Sequence, residues 1–175
     1  MRQAGLTALI AGARAPLAGF APVVEDAEPG LGPLGGICAA LASTQARWAV
    51  FLPVDLPLLP DSLVTFLLDH ARATERVVTV CSVNGFAQTF PVVLERAALP
   101  ALQAELDTGH RGCFAGFQAA TKRIGQPISV IGVEMLVQSG NVSHPDALPA
   151  ADWFLNINRP ADLLRARACG ERPIA

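Results

Sequence analysis

Short apolar runs alternate along the chain with longer segments in which apolar residues recur at helical spacing. The runs predict β-strands at residues 7–11, 22–25, 48–54, 76–82, 89–94, 128–133 and 153–157. Most of these runs are apolar on both faces, which is typical of strands in a sheet that is covered on both sides. Strands that alternate with helices in this way predict an α/β fold with a mainly parallel sheet.

The intervening segments predict helices at residues 34–43, 61–73, 96–107, 111–122 and 160–169. The second helix is the clearest, because Leu63, Leu67 and His70 recur at the spacing of one helix face. Two prolines in residues 138–151 indicate an irregular loop there. No repeat or long linker divides the chain, so we expect one domain over residues 1–175.

The composition excludes several classes of protein. Of the 175 residues, 51% are hydrophobic and 16% are charged, and the net charge is −2, which fits one globular domain. The arginines are scattered, whereas binding to duplex nucleic acid requires clustered positive charge. The most apolar stretch, residues 48–60, is too short and too broken by Asp55 and prolines to cross a bilayer. Without the long apolar region of a signal peptide, the chain is expected to be cytoplasmic, with no nucleic acid or membrane as partner.

The cysteines and histidines indicate no metal site. The cysteines are widely separated and form no C-x-x-C pair, at Cys38, Cys81, Cys113 and Cys169. This pattern favours buried free thiols over a zinc site or a disulfide framework. The histidines fall on a predicted helix, at a helix start and in a loop, and we assign no catalysis to them: His70, His110 and His144.

The strongest single feature is the segment from Phe51 to Pro60, in which Asp55 follows a buried apolar strand and prolines then turn the chain. Ligands of open α/β sheets collect at the carboxyl ends of the strands. A lone carboxylate there can hold a divalent metal that carries phosphate oxygens. It can equally cap the following turn through backbone N–H groups. The residues alone leave both roles of Asp55 open.

A second feature is the turn Gly32-Pro33-Leu34-Gly35-Gly36, which follows Asp26 at the end of a predicted strand and leads into a helix. Glycines let the backbone approach a flat ligand closely, and the start of a helix offers unpaired N–H donors. The turn matches neither the P-loop nor the G-x-G-x-x-G pattern. An ordinary tight connection and a nucleotide-binding loop both fit it.

A third feature is the segment from Asn156 to Asp162. Asn156 and Asn158 lie two residues apart, so they point to the same side of a strand, and Pro160 then starts a helix. Asn158 can serve simply as the helix cap. Capping does not explain Asn156.

In this order and spacing, the three segments resemble the molybdenum cofactor guanylyltransferases, the molybdopterin-guanine dinucleotide biosynthesis protein A family. In that family an acidic residue ends a strand, here Asp26, and a turn of the form Gly-Pro-Leu-Ala-Gly follows, here residues 32–36. An x-Asp-x-Pro strand end and an Asn-x-Asn-x-Pro-x-Asp/Glu motif match residues 54–57 and 156–162. Residues 88–91 also match a strand near the pterin side. The resemblance covers essentially the whole chain and implies a Rossmann-like, three-layer α/β/α nucleotidyltransferase fold.

The resemblance implies transfer of GMP from GTP to molybdenum-molybdopterin, with release of pyrophosphate. Asp55 would be catalytic and would hold Mg²⁺, while Asn156 and Asn158 would bind the acceptor. The residues implied at the nucleotide are Asp26, Gly32, Pro33, Leu34, Gly36 and Asp55. GTP and the molybdopterin cofactor would be the substrates, and a molybdoenzyme or its chaperone is a candidate protein partner.

The chain departs from this family at its start. The family opens with a strand and a loop of the form Leu-Ala-Gly-Gly-x-Ser-x-Arg-Met-Gly-x-Asp-Lys, which holds the triphosphate, whereas residues 7–11 match the family's second strand. The chain's one lysine, Lys122, lies on a late predicted helix. We therefore expect the first βα unit to be absent from these residues and the sheet to carry an open hydrophobic slot. Either Met1 is an internal residue of a longer enzyme, or the chain is a relative without catalysis.

Two other functions fit the same residues. The chain could bind the cofactor or the nucleotide without catalysis and hand it to a molybdoenzyme. It could also be a nucleotidyltransferase for another acceptor, of the cytidylyl or the sugar phosphate kind.

Overall fold

A computed structural model describes residues 6–12, 17–25, 30–159, 161–162 and 164 of the chain. In chain order, the described residues form the elements β1 (Ile10–Ala11), β2 (Val23–Val24), α1 (Gly32–Ser43), β3 (Trp48–Phe51), α2 (Asp61–Thr74), β4 (Val78–Val83), β5 (Phe86–Glu95), a 3₁₀ turn (Arg96–Ala98), α3 (Leu99–Asp107), α4 (Cys113–Ile124), β6 (Ser129–Gly132), α5 (Val133–Gln138) and a second 3₁₀ turn (Ala150–Asp152).

The strands form two separate sheets. The larger has the order β3-β5-β4-β6, and the smaller is the parallel pair β1-β2. Strands β3, β4 and β6 run parallel to one another, since β5 is antiparallel to both β3 and β4 while β6 is parallel to β4. The predicted α/β fold is confirmed, and its sheet is mixed because of β5.

The reversed direction of β5 comes from a two-residue turn. Asn84 and Gly85 join β4 to β5 with φ angles of 52° and 80°. Positive φ at both central residues is the geometry of a tight hairpin whose twist matches that of the strands. The Asn-Gly dipeptide is the sequence signal for this hairpin, and the antiparallel pairing follows from it.

Alternate residues of the central strands face two different cores. On β4, Val78 and Val80 pack toward α1, α3 and α4, whereas Cys81 and Val83 pack toward α2, α5 and the loop that ends at Trp153. This alternation follows from the two-residue period of a strand. The predicted three-layer α/β/α arrangement and the burial of the strands on both faces are confirmed for β4.

Two predicted features differ from the structure. Residues 153–157 form no strand, because the backbone turns at Trp153 directly after the 3₁₀ turn. The Trp153 side chain is buried, and its indole N–H donates to the Leu148 carbonyl at 2.8 Å. Helix α5 stands where a strand end and a loop are predicted. The Glu134 carboxylate of α5 accepts the Asn84 backbone N–H at 2.7 Å and ties the helix to the hairpin. The helix predicted at 160–169 lies largely outside the described residues.

Three of the cysteines are buried free thiols, as predicted. Burial raises the pKa of Cys38 to about 11 and that of Cys81 to about 12, and it also raises the pKa of Cys113. These thiols are therefore protonated at neutral pH and are poor nucleophiles. Cys169 lies outside the described residues. In the described part of the chain, no helix is both long and apolar enough to cross a membrane.

Candidate functional site

A cleft of about 970 Å³ opens between the carboxyl end of β1 and the carboxyl end of β3. Its walls come from the start of α1, the turn after β3, the start of β5 and the loop that follows Trp153. Strand β3 pairs with β5 along one edge, and no strand of the described residues pairs with its other edge.

Asp55 lies in the turn after β3 and lines the cleft. Its side chain is half-buried, yet it accepts no hydrogen bond and pairs with no cation of the described residues. The alternative in which this carboxylate caps its own turn therefore finds no support in the structure. A carboxylate that lines a cleft and has no partner in the described residues is available to an external ligand.

The backbone of Asp55 joins two of the predicted motifs. Its carbonyl accepts the Ile157 N–H at 2.8 Å. This single bond sets the asparagine segment beside the turn after β3, although about a hundred residues of sequence separate the two. Asn156 and Asn158 consequently line the same cleft as Asp55.

The cap of the last motif is Asp162 and not the side chain of Asn158. The Asp162 carboxylate accepts the backbone N–H groups of Asn158 and Arg159 at 3.1 and 2.9 Å. A carboxylate that reaches back to the residues before a helix is one half of a capping box. This arrangement leaves the exposed amide of Asn158 available to the cleft.

Replacing Asp162 with alanine is expected to loosen the asparagine segment. Because both hydrogen bonds of the cap disappear, amide exchange at Asn158 and Arg159 should become about five-fold faster, the effect of losing about 1 kcal/mol. Hydrogen exchange followed by NMR or mass spectrometry measures this. Asp162→Asn keeps an acceptor oxygen and should retain most of the protection. Equal exchange in the alanine variant and the parent would show that the cap does not hold this segment.

Residues 32–36, predicted as a turn before a helix, form the start of α1 itself. Gly32, Pro33 and Gly36 line the cleft, and Pro33 stands in the first turn of α1, where its missing N–H has no consequence. Gly30 and Gly32 have φ angles of +80° and +68°, a conformation that side chains disfavour.

Leu34, a predicted nucleotide-site residue, does not line the cleft. Leu34 is fully buried and packs in the core against α4, so its side chain does not reach the cleft and its backbone alone is left for a nucleotide contact. Its packing against α4 is close, since a Cβ added to Gly116 would lie 3.1 Å from the Leu34 Cδ2 atom. Asp26 lies outside the described residues.

Sequence reasoning missed the aromatic lining of the cleft. Phe51, Phe90 and Phe154 are half-buried and contribute to its wall. Each of these rings lies in or beside one of the motifs described above. Their position beside the polar residues of those motifs was the signal that could have predicted them. Aromatic faces stack on flat rings. The cleft thus combines surfaces for a planar ligand with a few polar groups.

Among the described residues that line the cleft, Asp55 is the one with a charged side chain, and none is a lysine or an arginine. Lys122 is exposed on α4 and does not line the cleft. No group of three or more His, Cys, Asp or Glu side chains able to hold a metal ion occurs within the described residues. One carboxylate with nearby amide oxygens fits a cation that keeps most of its shell for water and phosphate, as Mg²⁺ does.

The chain is similar to proteins of known name. The profile of the family described as MobA-like NTP transferase domain matches residues 2–124. The molybdenum cofactor guanylyltransferase of Shewanella loihica is 35% identical over 91 residues, which are 51% of this chain and 46% of that protein. The corresponding protein of Vibrio atlanticus is 28% identical over 145 residues, which are 82% of this chain and 64% of that protein. The chain therefore spans about half to two thirds of the length of these curated relatives.

Among solved structures, the chain is similar to molybdopterin-guanine dinucleotide biosynthesis protein A from Archaeoglobus fulgidus. The TM-score is 0.67 at 20% sequence identity, over 87% of this chain and 70% of that chain. At this identity the similarity shows a shared fold.

Proposed function

The chain belongs to the MobA-like NTP transferase family, and on this premise we propose that it transfers GMP from GTP to molybdenum-molybdopterin and releases pyrophosphate. The observation that carries the proposal is the carboxylate of Asp55, which has no partner among the described residues and stands beside Asn156 and Asn158 at the cleft. The names of the similar curated proteins, molybdenum cofactor guanylyltransferase, support the choice of nucleotide and acceptor.

In the proposed reaction, an oxygen of the molybdopterin phosphate attacks the α-phosphorus of GTP. A new phosphorus–oxygen bond forms there, and the bond from the α-phosphorus to the oxygen that bridges to the β-phosphorus breaks. Pyrophosphate leaves with that bonding pair. Such a transfer needs positioning and charge stabilisation more than covalent help from the protein.

Asp55 is the proposed ligand for Mg²⁺. Its carboxylate is a hard oxygen ligand without a partner in the described residues, which fits this ion, and the cleft leaves room for water and phosphate ligands. When bound, the ion supplies charge neutralisation to the phosphates. Because no arginine or lysine lines the cleft in the described residues, we expect nucleotide binding by this chain to depend strongly on Mg²⁺.

The remaining residues of the cleft divide between nucleotide and acceptor in this proposal. Gly32, Pro33 and Gly36 would lie along the guanine nucleotide, with the backbone of α1's first turn facing it. Asn156 and Asn158 would donate and accept hydrogen bonds at the acceptor. The phenylalanine rings would stack on the planar parts of the two substrates.

We also propose a cytoplasmic location and a molybdoenzyme or its chaperone as the recipient of the product. Three buried free thiols support a reducing compartment. The names of the similar proteins, which specify a molybdenum cofactor, support a molybdenum-dependent recipient.

The decisive experiment measures pyrophosphate release by the full chain with GTP, Mg²⁺ and molybdenum-molybdopterin. We expect release to require all three and to stop with EDTA, and calorimetry should show tighter binding of GTP than of CTP. Binding of GTP without pyrophosphate release would indicate a carrier without catalysis. Tighter binding of CTP would show that the cytidylyl alternative is correct.

A further inference from the structure

Arg111 makes a hydrogen bond to the segment just before α1. It stands just before α4, and its Nη1 atom donates a hydrogen bond to the carbonyl of Gly30, which lies 81 positions away in the sequence. A guanidinium donor makes this a charge-assisted bond, which is stronger than a bond between neutral groups. The contact therefore connects the segment between α3 and α4 to the turn that precedes α1.

The segment from Gly30 to Pro33, which leads into α1 and is called the turn below, has few other side-chain hydrogen bonds. The first residue of its helix is preceded by Leu31, and α1 has no side-chain cap. No other side chain of the described residues is hydrogen-bonded to residues 30–33. Gly30 and Gly32 both hold positive φ angles, and a glycine backbone without fixed partners populates many conformations. Leu31, between these glycines, packs against the core, and Arg111 supplies the side-chain hydrogen bond to this segment.

Arg111 itself is attached to a fixed part of the fold. The adjacent His110 Nδ1 atom lies 3.2 Å from a carboxylate oxygen of Glu105 on α3. Farther along the chain, α4 lies close to α1 at Gly116, since a Cβ added to Gly116 would lie 3.1 Å from the Leu34 Cδ2 atom. The distance between the start of α4 and the start of α1 is therefore set by packing in the core.

We propose that Arg111 is a positioning residue for the nucleotide site. By holding the Gly30 carbonyl, it keeps the turn and the first residues of α1 in the conformation that lines the cleft. Arg111 does not line the cleft itself, so it acts through the turn and not on the substrate. Without it, nucleotide binding would have to order the turn, and that entropy loss would weaken affinity. This inference rests on the proposed function.

The test replaces Arg111 with methionine, which keeps most of the length and removes every donor. We expect the Kd for GTP with Mg²⁺ and the KM for GTP to rise about tenfold, with kcat and the KM for the acceptor little changed. Arg111→Lys, which keeps a charged donor, should restore part of the affinity. The matched control is Arg72→Met on α2, where the arginine is also exposed and pairs with Asp69 at 3.5 Å, away from this segment; it should bind GTP like the parent.

A double variant shows whether Arg111 acts through the turn. Gly32→Ala strains the turn without a steric clash, because nothing lies within 4 Å of the added Cβ. If Arg111 acts by ordering this backbone, its effect on the Kd for GTP should be much smaller when Gly32→Ala is already present. Additive effects would show that Arg111 acts elsewhere. Circular dichroism and melting curves identify variants that are not folded, and Arg111→Gln replaces Arg111→Met if the latter is among them.

The outcomes separate the two proposals. If the parent chain binds no GTP in the presence of Mg²⁺, the proposed function is wrong. If the parent binds GTP and Arg111→Met binds it as tightly as Arg72→Met does, the positioning role of Arg111 is wrong and the proposed function stands.

Discussion

Replacing Asp55 with asparagine is expected to lower Mg²⁺-dependent pyrophosphate release by about 100-fold or more. Asparagine keeps the shape of the side chain but removes the negative charge that a hard divalent cation requires. Asp55→Ala should have the same effect on turnover. The backbone carbonyl that accepts the Ile157 N–H remains in both variants, so the asparagine segment should stay in place.

The fold of the Asp55 variants is expected to be intact. The carboxylate has no partner among the described residues, so its removal breaks no internal interaction of that part of the chain. Steady-state rates, melting curves and circular dichroism together measure this. Asp69→Asn is the matched control, because Asp69 is an exposed carboxylate on α2 that pairs with Arg72 away from the cleft. Turnover at the parent rate in Asp55→Asn would disprove the metal-binding role.

Replacing Trp153 with alanine is expected to lower the free energy of unfolding by about 3–5 kcal/mol. The indole is only 1% exposed and packs in the core beneath α2 and α5, and its N–H donates to the Leu148 carbonyl at 2.8 Å. Alanine would leave a cavity and an unpaired buried carbonyl. Urea denaturation of the variant and the parent measures the difference.

Two further variants separate the ring of Trp153 from its hydrogen bond. Trp153→Phe keeps an aromatic ring and loses the N–H donor, so it should be destabilised by less than the alanine variant. Trp48→Phe changes a half-buried tryptophan on β3 and should have a smaller effect again. Because Asn156 follows Trp153 by three residues, we also expect weaker acceptor binding in Trp153→Ala. An unchanged free energy of unfolding in that variant would show that this loop is not anchored by the indole.

The helices were predicted well because their signals are local. In α2, apolar residues recur along one face, and the structure buries Leu63 and Leu67 there. The predicted strand at residues 153–157 was wrong because Trp153 is buried in the core against α2 and α5, and the segment pairs with no strand of the described residues. An apolar run signals burial, and it does not say what covers the run.

The antiparallel direction of β5 was also missed, although its signal is local. Asn84-Gly85 predicts a tight hairpin on its own, and the pattern of alternating strands and helices outweighed it. Helix α5 could not be predicted in the same way. It has six residues and is held by a hydrogen bond from Asn84, which lies 50 positions away.

The sequence by itself determined the α/β class, the resemblance to one family of nucleotidyltransferases and the residue types available for chemistry. These follow from periodicity and from short motifs, which depend on neighbouring residues. Only the tertiary structure decided which atoms remain free. Asp162 caps the last motif and leaves the Asn158 side chain available. The Leu34 side chain packs against α4, and the Asp55 carboxylate has no partner in the described residues. Each of these depends on contacts between residues that lie far apart or on competition for one hydrogen bond, which no local pattern records.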